Sequence, residues 1–337
     1  MKTISIFNQK GGVGKTTSVV NLSVALAKFG KKVLVIDFDP QANTTTGLGF
    51  DKNNQEKSVY KMFYDEDGNY KDYIVKSEDG PYLIPSENSL SGLEVELVSL
   101  DQVERLQMLD QIIKEIKKDF DLILIDCPPS LGLLSLNALV ASDSIIIPIQ
   151  TEYYALEGVS ELLKTYDTIK NSIKEDLEIE GVLLCMFDKE TNLSYEVAEE
   201  VKTFFKEKVF RTMIPRNIKL AEAPSFGKSV ILYDEKSKGA RAYMALAKEI
   251  IENIFRKNDL EKDSNDDKTE DKKETEEVFE NPDENKEKNN KNSADDKLDE
   301  EKEIIDKKDD KKFEDGIVKK NKFSFDQNKL VNNEKRD

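Results

Sequence analysis

Residues 1–256 predict a doubly wound α/β domain built on a mostly parallel sheet. Three observations carry that expectation. Strand-like and helix-like segments alternate along the stretch, several strand segments are apolar at nearly every residue, and a glycine-rich turn separates the first strand from the first helix. Residues 3–7 (TISIF) read as the first strand, and residues 16–29 carry helical apolar spacing that ends at Gly30, the residue type that most readily closes a helix. Residues 32–38 (KVLVIDF) form the second strand, apolar on both faces as a strand in the middle of a parallel sheet must be. A looser stretch containing Leu83-Ile84-Pro85 follows, then a helical run over residues 95–118. The strand at 122–126 (LILID), a further helix and the strand at 144–149 (SIIIPI) come next. A helix near 158–173, a strand at 181–187, a helix near 195–205 and a strand at 209–214 complete the alternation, and an amphipathic helix over 240–255 closes it. Ligands of such a sheet bind at the carboxyl ends of its strands.

Composition divides the chain in two. Residues 257–337 hold 20 Lys/Arg against 28 Asp/Glu with few apolar side chains; they cannot bury enough surface to offset chain entropy, and a disordered, charged low-complexity tail is expected there. One local exception is Lys322-Phe323-Ser324-Phe325, where aromatics return among lysines. The whole chain carries a formal charge of −17, an odd balance for a nucleic-acid or membrane-surface protein unless its cations are concentrated locally. No apolar run is long enough to span a bilayer, and the first residues lack a signal-peptide layout. Cys127 and Cys185 sit within or beside apolar runs and read as buried thiols of a reducing cytoplasm. Histidine is absent, which removes histidine catalysis and most zinc sites.

The chemistry gathers at strand ends. After the first strand runs Gln9-Lys10-Gly11-Gly12-Val13-Gly14-Lys15-Thr16-Thr17. Its close is that of a P-loop, but glutamine stands where the usual first glycine belongs, beside an extra lysine. Backbone N–H groups of Gly11, Gly12 and Gly14 are placed to approach phosphate oxygens, helped by the positive end of the following helix. Lys15 would neutralise the β- and γ-phosphates, and the Thr16 hydroxyl would hold Mg2+. The second strand delivers Asp37 and then Asp39-Pro40-Gln41; carboxylates two apart on an extended chain face one way. Asp39 is the candidate to position or activate water, or else a turn-forming Asp-Pro. The strand ending at Asp126 has a Walker B pattern, with Asp126 reaching Mg2+ through water, and Cys127-Pro128-Pro129 stiffens the loop beyond it.

Together, residues 10–17 (KGGVGKTT), 37–41 (DFDPQ) and 126–130 (DCPPS) resemble the deviant Walker A ATPases, and residues 152–158 (EYYALEG) with 214–227 (IPRNIKLAEAPSFG) are similar to the ParA/Soj chromosome-partitioning ATPases. The resemblance covers nearly all of residues 1–256, the expected ATPase domain, and stops before the tail. It implies ATP and Mg2+ as ligands and a homodimer in the ATP state. It implies that Lys10 reaches across a two-fold axis to the partner's nucleotide, that Val13 and Thr17 belong to the phosphate site, and that Pro215 and Asn217 contact adenine. It further implies non-specific binding to double-stranded DNA, hydrolysis stimulated by a ParB-type partner, and a cytoplasmic, nucleoid-associated protein.

Charge distribution supports the DNA expectation, because residues 202–241 hold ten Lys/Arg against four acids, and cations that displace phosphate counterions suffice for non-specific duplex binding. Lys219 and Lys228 are candidate contacts. Many relatives have arginine in the turn that here reads Asp188-Lys189-Glu190-Thr191; that position falls on Glu190, with Lys189 the candidate substitute. No segment precedes the first strand, so the helix-turn-helix of longer plasmid relatives is not expected. A MinD-like membrane-associated positioning ATPase is the alternative, disfavoured by the acidic tail. A redox partner like the nitrogenase iron protein is excluded by two cysteines that do not suit a bridging cluster.

Overall fold

A computed structural model of the chain describes residues 1–65, 67–78, 80–152 and 155–270, and of residues 155–161 and 255–270 the backbone alone. Residues 271–337, with the aromatic motif at 322–325, lie outside the described residues. In chain order the elements are β1 (Lys2–Ile6), α1 (Lys15–Lys28), β2 (Val33–Asp37), α2 (Asn43–Gly47), α3 (Val59–Met62), β3 (Val75–Lys76), β4 (Tyr82–Ile84), α4 (Leu90–Leu97), α5 (Glu104–Ile116) and β5 (Leu122–Asp126). Then follow α6 (Leu133–Val140), β6 (Ser144–Gln150), α7 (Ala155–Ser172), β7 (Glu178–Cys185), α8 (Asn192–Phe205), α9 (Ile218–Glu222), α10 (Val230–Tyr233) and α11 (Lys238–Glu270).

Seven strands form one sheet in the order β3-β4-β2-β5-β1-β6-β7. Every pairing is parallel except β3 with β4. Alternate residues feed two cores, one on each face: Leu34, Ile36, Ile123 and Ile125 pack with α4, α5, α6 and α8, whereas Val33, Val35, Leu122 and Leu124 pack with α1, α10 and α11. β1 is the exception to apolar alternation. Its Ser5 hydroxyl bonds Ala138 O at 3.1 Å and meets the Ser142 hydroxyl at 2.7 Å, so a small polar residue lets α6 lie close. The connection from β1 leads towards β2, and the strand beyond β1 on the other side is β6. That change of direction opens a crevice at the carboxyl ends of β1 and β6.

Four expectations need revision. The run over 95–118 is two helices, because Asp101 accepts the N–H of Val103 at 2.9 Å and Ser99 donates to Glu96 O at 2.7 Å; such local side-chain bonds compete with the helix. The looser stretch holds β3 and β4, too short to leave a period in the sequence. Residues 209–214 run beside β7 through bridges at Val182–Val209 and Phe187–Pro215 without becoming a regular strand. The backbone N–H groups of Arg211 and Thr212 turn instead to the Glu249 carboxylate, at 2.7 and 3.0 Å. Finally, the last helix runs past residue 255 to Glu270.

Candidate nucleotide site

The loop between β1 and α1 is held from behind. Asn8 accepts the Lys10 N–H at 2.9 Å and donates to Pro148 O of β6 at 2.8 Å. Gln9, where a glycine is usual, donates to the Thr165 hydroxyl of α7 at 2.8 Å. Val13 is buried. Gly12 and Gly14 have φ of +77° and +100°, conformations that favour glycine. A Cβ built at Gly11 or Gly12 meets nothing within 4 Å, so the loop presents an open cradle. Lys15, only 7% exposed, folds back so that its ammonium donates to Lys10 O at 3.1 Å. Burial lowers its pKa, opposed by the charges of Asp126, Cys127 and Asp39. The Lys10 ammonium, on a half-buried residue, makes no hydrogen bond or ion pair among the described residues.

Two carboxylates stand side by side at the sheet's centre, since Asp37 of β2 pairs in register with Asp126 of β5. Both are fully buried. One oxygen of Asp126 accepts two hydroxyls, from Thr16 at 2.8 Å and Thr44 at 2.7 Å; the other is buried with no hydrogen-bond partner. Asp37 accepts both the N–H and the hydroxyl of Thr45, at 2.7 and 2.6 Å. Burial pushes Asp126 up to about 6, against the lowering effect of its threonine bonds. Asp37 is pushed up to about 8, by burial first and by the charge of Asp126 second. Asp39, 6% exposed, lies beyond the strand and accepts the Gln41 N–H at 2.9 Å, while Ser86 anchors its carbonyl at 2.8 Å.

A cavity of about 350 Å³ adjoins this loop, lined among others by Gly14, Thr17, Cys185, Pro215, Asn217 and Tyr243. It brings the P-loop residues Gly14 and Thr17 together with the distant segment 214–217. Asn217 caps α9, accepting the Lys219 N–H at 3.0 Å. Both cysteines are free and buried, and burial pushes each thiol up to about 12. Of the candidate DNA contacts, Lys189 and Lys228 are exposed, whereas Lys219 pairs with Glu222 at 2.8 Å and lies 5.4 Å over the Tyr233 ring.

The donor set suits Mg2+ bound to a nucleotide. No cluster of three or more acidic, histidine or cysteine residues exists among the described residues to cage a metal alone. The free oxygen of Asp126 and the Thr16 hydroxyl are the hard oxygen donors that such an ion takes alongside phosphate and water. Sequence reasoning missed Thr44, Thr45 and Ser86, which fix the carboxylates. The only available signal was the run Asn43-Thr44-Thr45-Thr46 following the Asp39 loop.

Comparison with known proteins agrees with this geometry. A family model described as an AAA domain matches residues 1–179. The sporulation initiation inhibitor protein Soj of Bacillus subtilis (strain 168) is 51% identical over 253 residues, covering 75% of this chain and 99% of that protein. The chromosome partitioning protein ParA of Myxococcus xanthus (strain DK1622) is 45% identical over 252 residues, covering 74% and 88%. Among solved structures, cobyrinic acid a,c-diamide synthase from Mycobacterium smegmatis, with bound ATP analog and magnesium, superposes with a TM-score of 0.65 at 32% identity, covering 75% of this chain and 95% of that one. Its fold, its P-loop with the paired lysines and its relatives agree: the chain belongs to the ParA/Soj family of chromosome-partitioning ATPases.

Proposed function

We propose that the chain binds ATP with Mg2+, dimerises in the ATP state, hydrolyses ATP and binds double-stranded DNA without sequence preference. In this reading it drives partitioning of DNA on the nucleoid, with hydrolysis stimulated by a ParB-type partner. The observation that carries it is the Asp126 carboxylate, with one oxygen held by Thr16 and Thr44 and the other buried and unsatisfied at the mouth of the P-loop. A buried polar atom left without a partner costs about 1–3 kcal/mol, so the site favours a ligand that supplies one.

The roles follow from position. N–H groups of residues 11–14 and the N-terminus of α1 cradle the phosphates. Lys15 exchanges the Lys10 carbonyl for phosphate oxygens, a stronger acceptor for an ammonium. Thr16 and Asp126 hold the ion, which when bound neutralises phosphate charge. Asp39, beyond the strand and anchored through its main chain by Ser86, orients the attacking water. Gly14 and Thr17 hold one end of the nucleotide while Pro215 and Asn217 bracket the base in the 350 Å³ cavity. Lys10, whose ammonium makes no hydrogen bond or ion pair among the described residues, supplies a cation to the partner's nucleotide across the dimer axis.

ATP turnover and duplex binding by the purified protein, compared with ATP, with ADP and without nucleotide, test the reading. Turnover with DNA binding confined to the ATP state supports it. A protein that binds ATP without hydrolysing it, or binds DNA equally in all three states, overturns it.

A further inference from the structure

Resting on the ATP-hydrolysis reading above, we infer that Glu94 of α4 is a positioning residue for the reaction: its carboxylate joins the loop after Asp126 to the loop that carries Asp39. The two loops leave neighbouring strands, β5 and β2. Hydrolysis needs both in place at once, since one follows the ligand of the ion and the other holds the carboxylate that orients water.

Glu94 caps a helix that is not its own. α6 follows the Asp126 loop, and its N-cap residue is Gly132, which has no side chain to bond the first N–H groups. Glu94 Oε1 accepts the Leu134 N–H instead, at 3.3 Å, and brings negative charge to the positive end of α6. The glycine is there for space. Its φ of −89° and ψ of −176° are extended backbone that any residue adopts, but a Cβ built on it would lie 2.0 Å from Glu94 Oε1 and 2.9 Å from the carboxyl carbon. Serine, a favoured cap from within a helix's own chain, is thereby shut out, and the capping group comes from α4. The Ser135 hydroxyl donates to Ser130 O, so the first turn of α6 and the loop before it move together.

The segment that leads into α4 is tied to the Asp39 loop. Ser86, just past β4, is fully buried. Its hydroxyl donates to Asp39 O at 2.8 Å and its N–H to the Thr45 hydroxyl at 2.9 Å, and Thr45 in turn bonds Asp37. Leu90, Leu93 and Leu97 of α4 are buried in the same core as Leu134 of α6, and close packing keeps the helix rigid between its two attachments. From Leu90 to Glu94 is ~6 Å of helical rise, so the strut is short. α4 thus links the two loops, and the Glu94 carboxylate is its joint to α6.

The test measures ATP turnover, ATP affinity and melting temperature of the full-length protein and of E94A, E94Q and the double variant E94A/G132S. E94A is expected to lower turnover about 10- to 100-fold, the effect of a small misplacement of reacting groups. Its ATP affinity should stay at the wild-type value, because the Glu94 bond is to α6 and not to the phosphate cradle. Its melting temperature should fall by about 2–4 °C for the lost cap. E94Q keeps an acceptor oxygen for Leu134 and should lie between wild type and E94A. In E94A/G132S the vacated space admits the serine, whose hydroxyl caps α6 from within. Its melting temperature should return towards wild type while turnover stays low, the helix being capped but no longer joined to α4. Turnover that recovers together with stability would overturn the inference and leave Glu94 as a cap alone. Wild-type turnover in E94A, or a loss of ATP affinity that matches the loss of turnover, would overturn it too. A wild-type protein that binds ATP without hydrolysing it overturns the functional reading itself, and the positioning role with it.

Discussion

Thr44 offers a quantitative test of the site. Its hydroxyl is one of two donors to a single oxygen of Asp126, at 2.7 Å, and both residues are fully buried. Thr44→Val keeps the side chain's shape and removes that donor. When Asp126 is ionised, the lost bond is charge-assisted and costs about 1.5–3 kcal/mol; when it is protonated, a neutral bond costs about 0.5–1.5 kcal/mol. Burial holds Asp126 at about 6, so it is mostly protonated at pH 5 and mostly ionised at pH 8. The variant should therefore lose more stability at pH 8. At about 2–4 °C per kcal/mol for a domain of this size, the melting temperature should fall by roughly 3–12 °C at pH 8 and 1–6 °C at pH 5. Thermal denaturation of wild type and variant without nucleotide or Mg2+ measures both. Equal losses at the two pH values would show that Thr44 merely packs against the carboxylate, and no loss at all would refute the reasoning outright.

Lys10→Ala should bind ATP normally as a monomer yet form no ATP-dependent dimer in sedimentation equilibrium, whereas Lys15→Ala should lose nucleotide affinity itself. Asp39→Ala should keep ATP binding and dimerisation while turnover falls by about 10²-fold or more, the lower end of what a positioned base contributes; wild-type turnover would leave Asp39 as a turn residue. Gly181→Ala should destabilise the domain by about 1–3 kcal/mol, because the new Cβ would lie 2.4 Å from the Phe210 ring; an unchanged denaturant midpoint would mean the ring moves freely. Asp37→Asn should flatten the pH dependence of stability in the nucleotide-free protein, checked by melting temperatures between pH 5 and 8.5.

Legibility followed the kind of signal each residue leaves. Strands β2 and β5 are buried on both faces, and a central parallel strand of that kind writes itself as an apolar run. The P-loop was readable because its glycines and lysine must be contiguous. Asp37, Asp39 and Asp126 were readable because each sits at or just beyond the end of such a run. What was not legible depends on contacts between distant segments. The Asn217 side of the 350 Å³ cavity meets Gly14 across the fold, and only the family resemblance pointed to it. The threonines of α2 serve two different carboxylates, Thr44 bonding Asp126 and Thr45 bonding Asp37, a division no spacing rule announces. Residues 209–214 mislead for a related reason: their pattern is that of a strand, but a carboxylate from α11 takes two of the N–H groups a strand would use.

The carboxylate pair at the sheet's centre gives the site an electrostatic reason to favour a bound cation. Asp37 and Asp126 are register neighbours, both shut from water, and burial raises both above the ordinary carboxylate range. A group whose pKa is raised on folding binds its proton more tightly in the folded state. Its contribution to stability is complete below the unfolded pKa and is lost as pH rises through the folded value. Here that window extends from about 4 through about 6 for Asp126 and on to about 8 for Asp37. At neutral pH the nucleotide-free protein therefore carries an electrostatic cost at the point where β2 and β5 deliver their carboxylates. Lys15 relieves it only in part, being itself buried and bonded back to Lys10 O. Asn at 37 removes one of the two charges while keeping an oxygen for the Thr45 donors, so the variant should hold its stability towards pH 8 where the wild type declines. A wild-type protein whose melting temperature is as flat as the variant's would mean that the pair is never jointly ionised, and that the site gains nothing electrostatic from a bound cation.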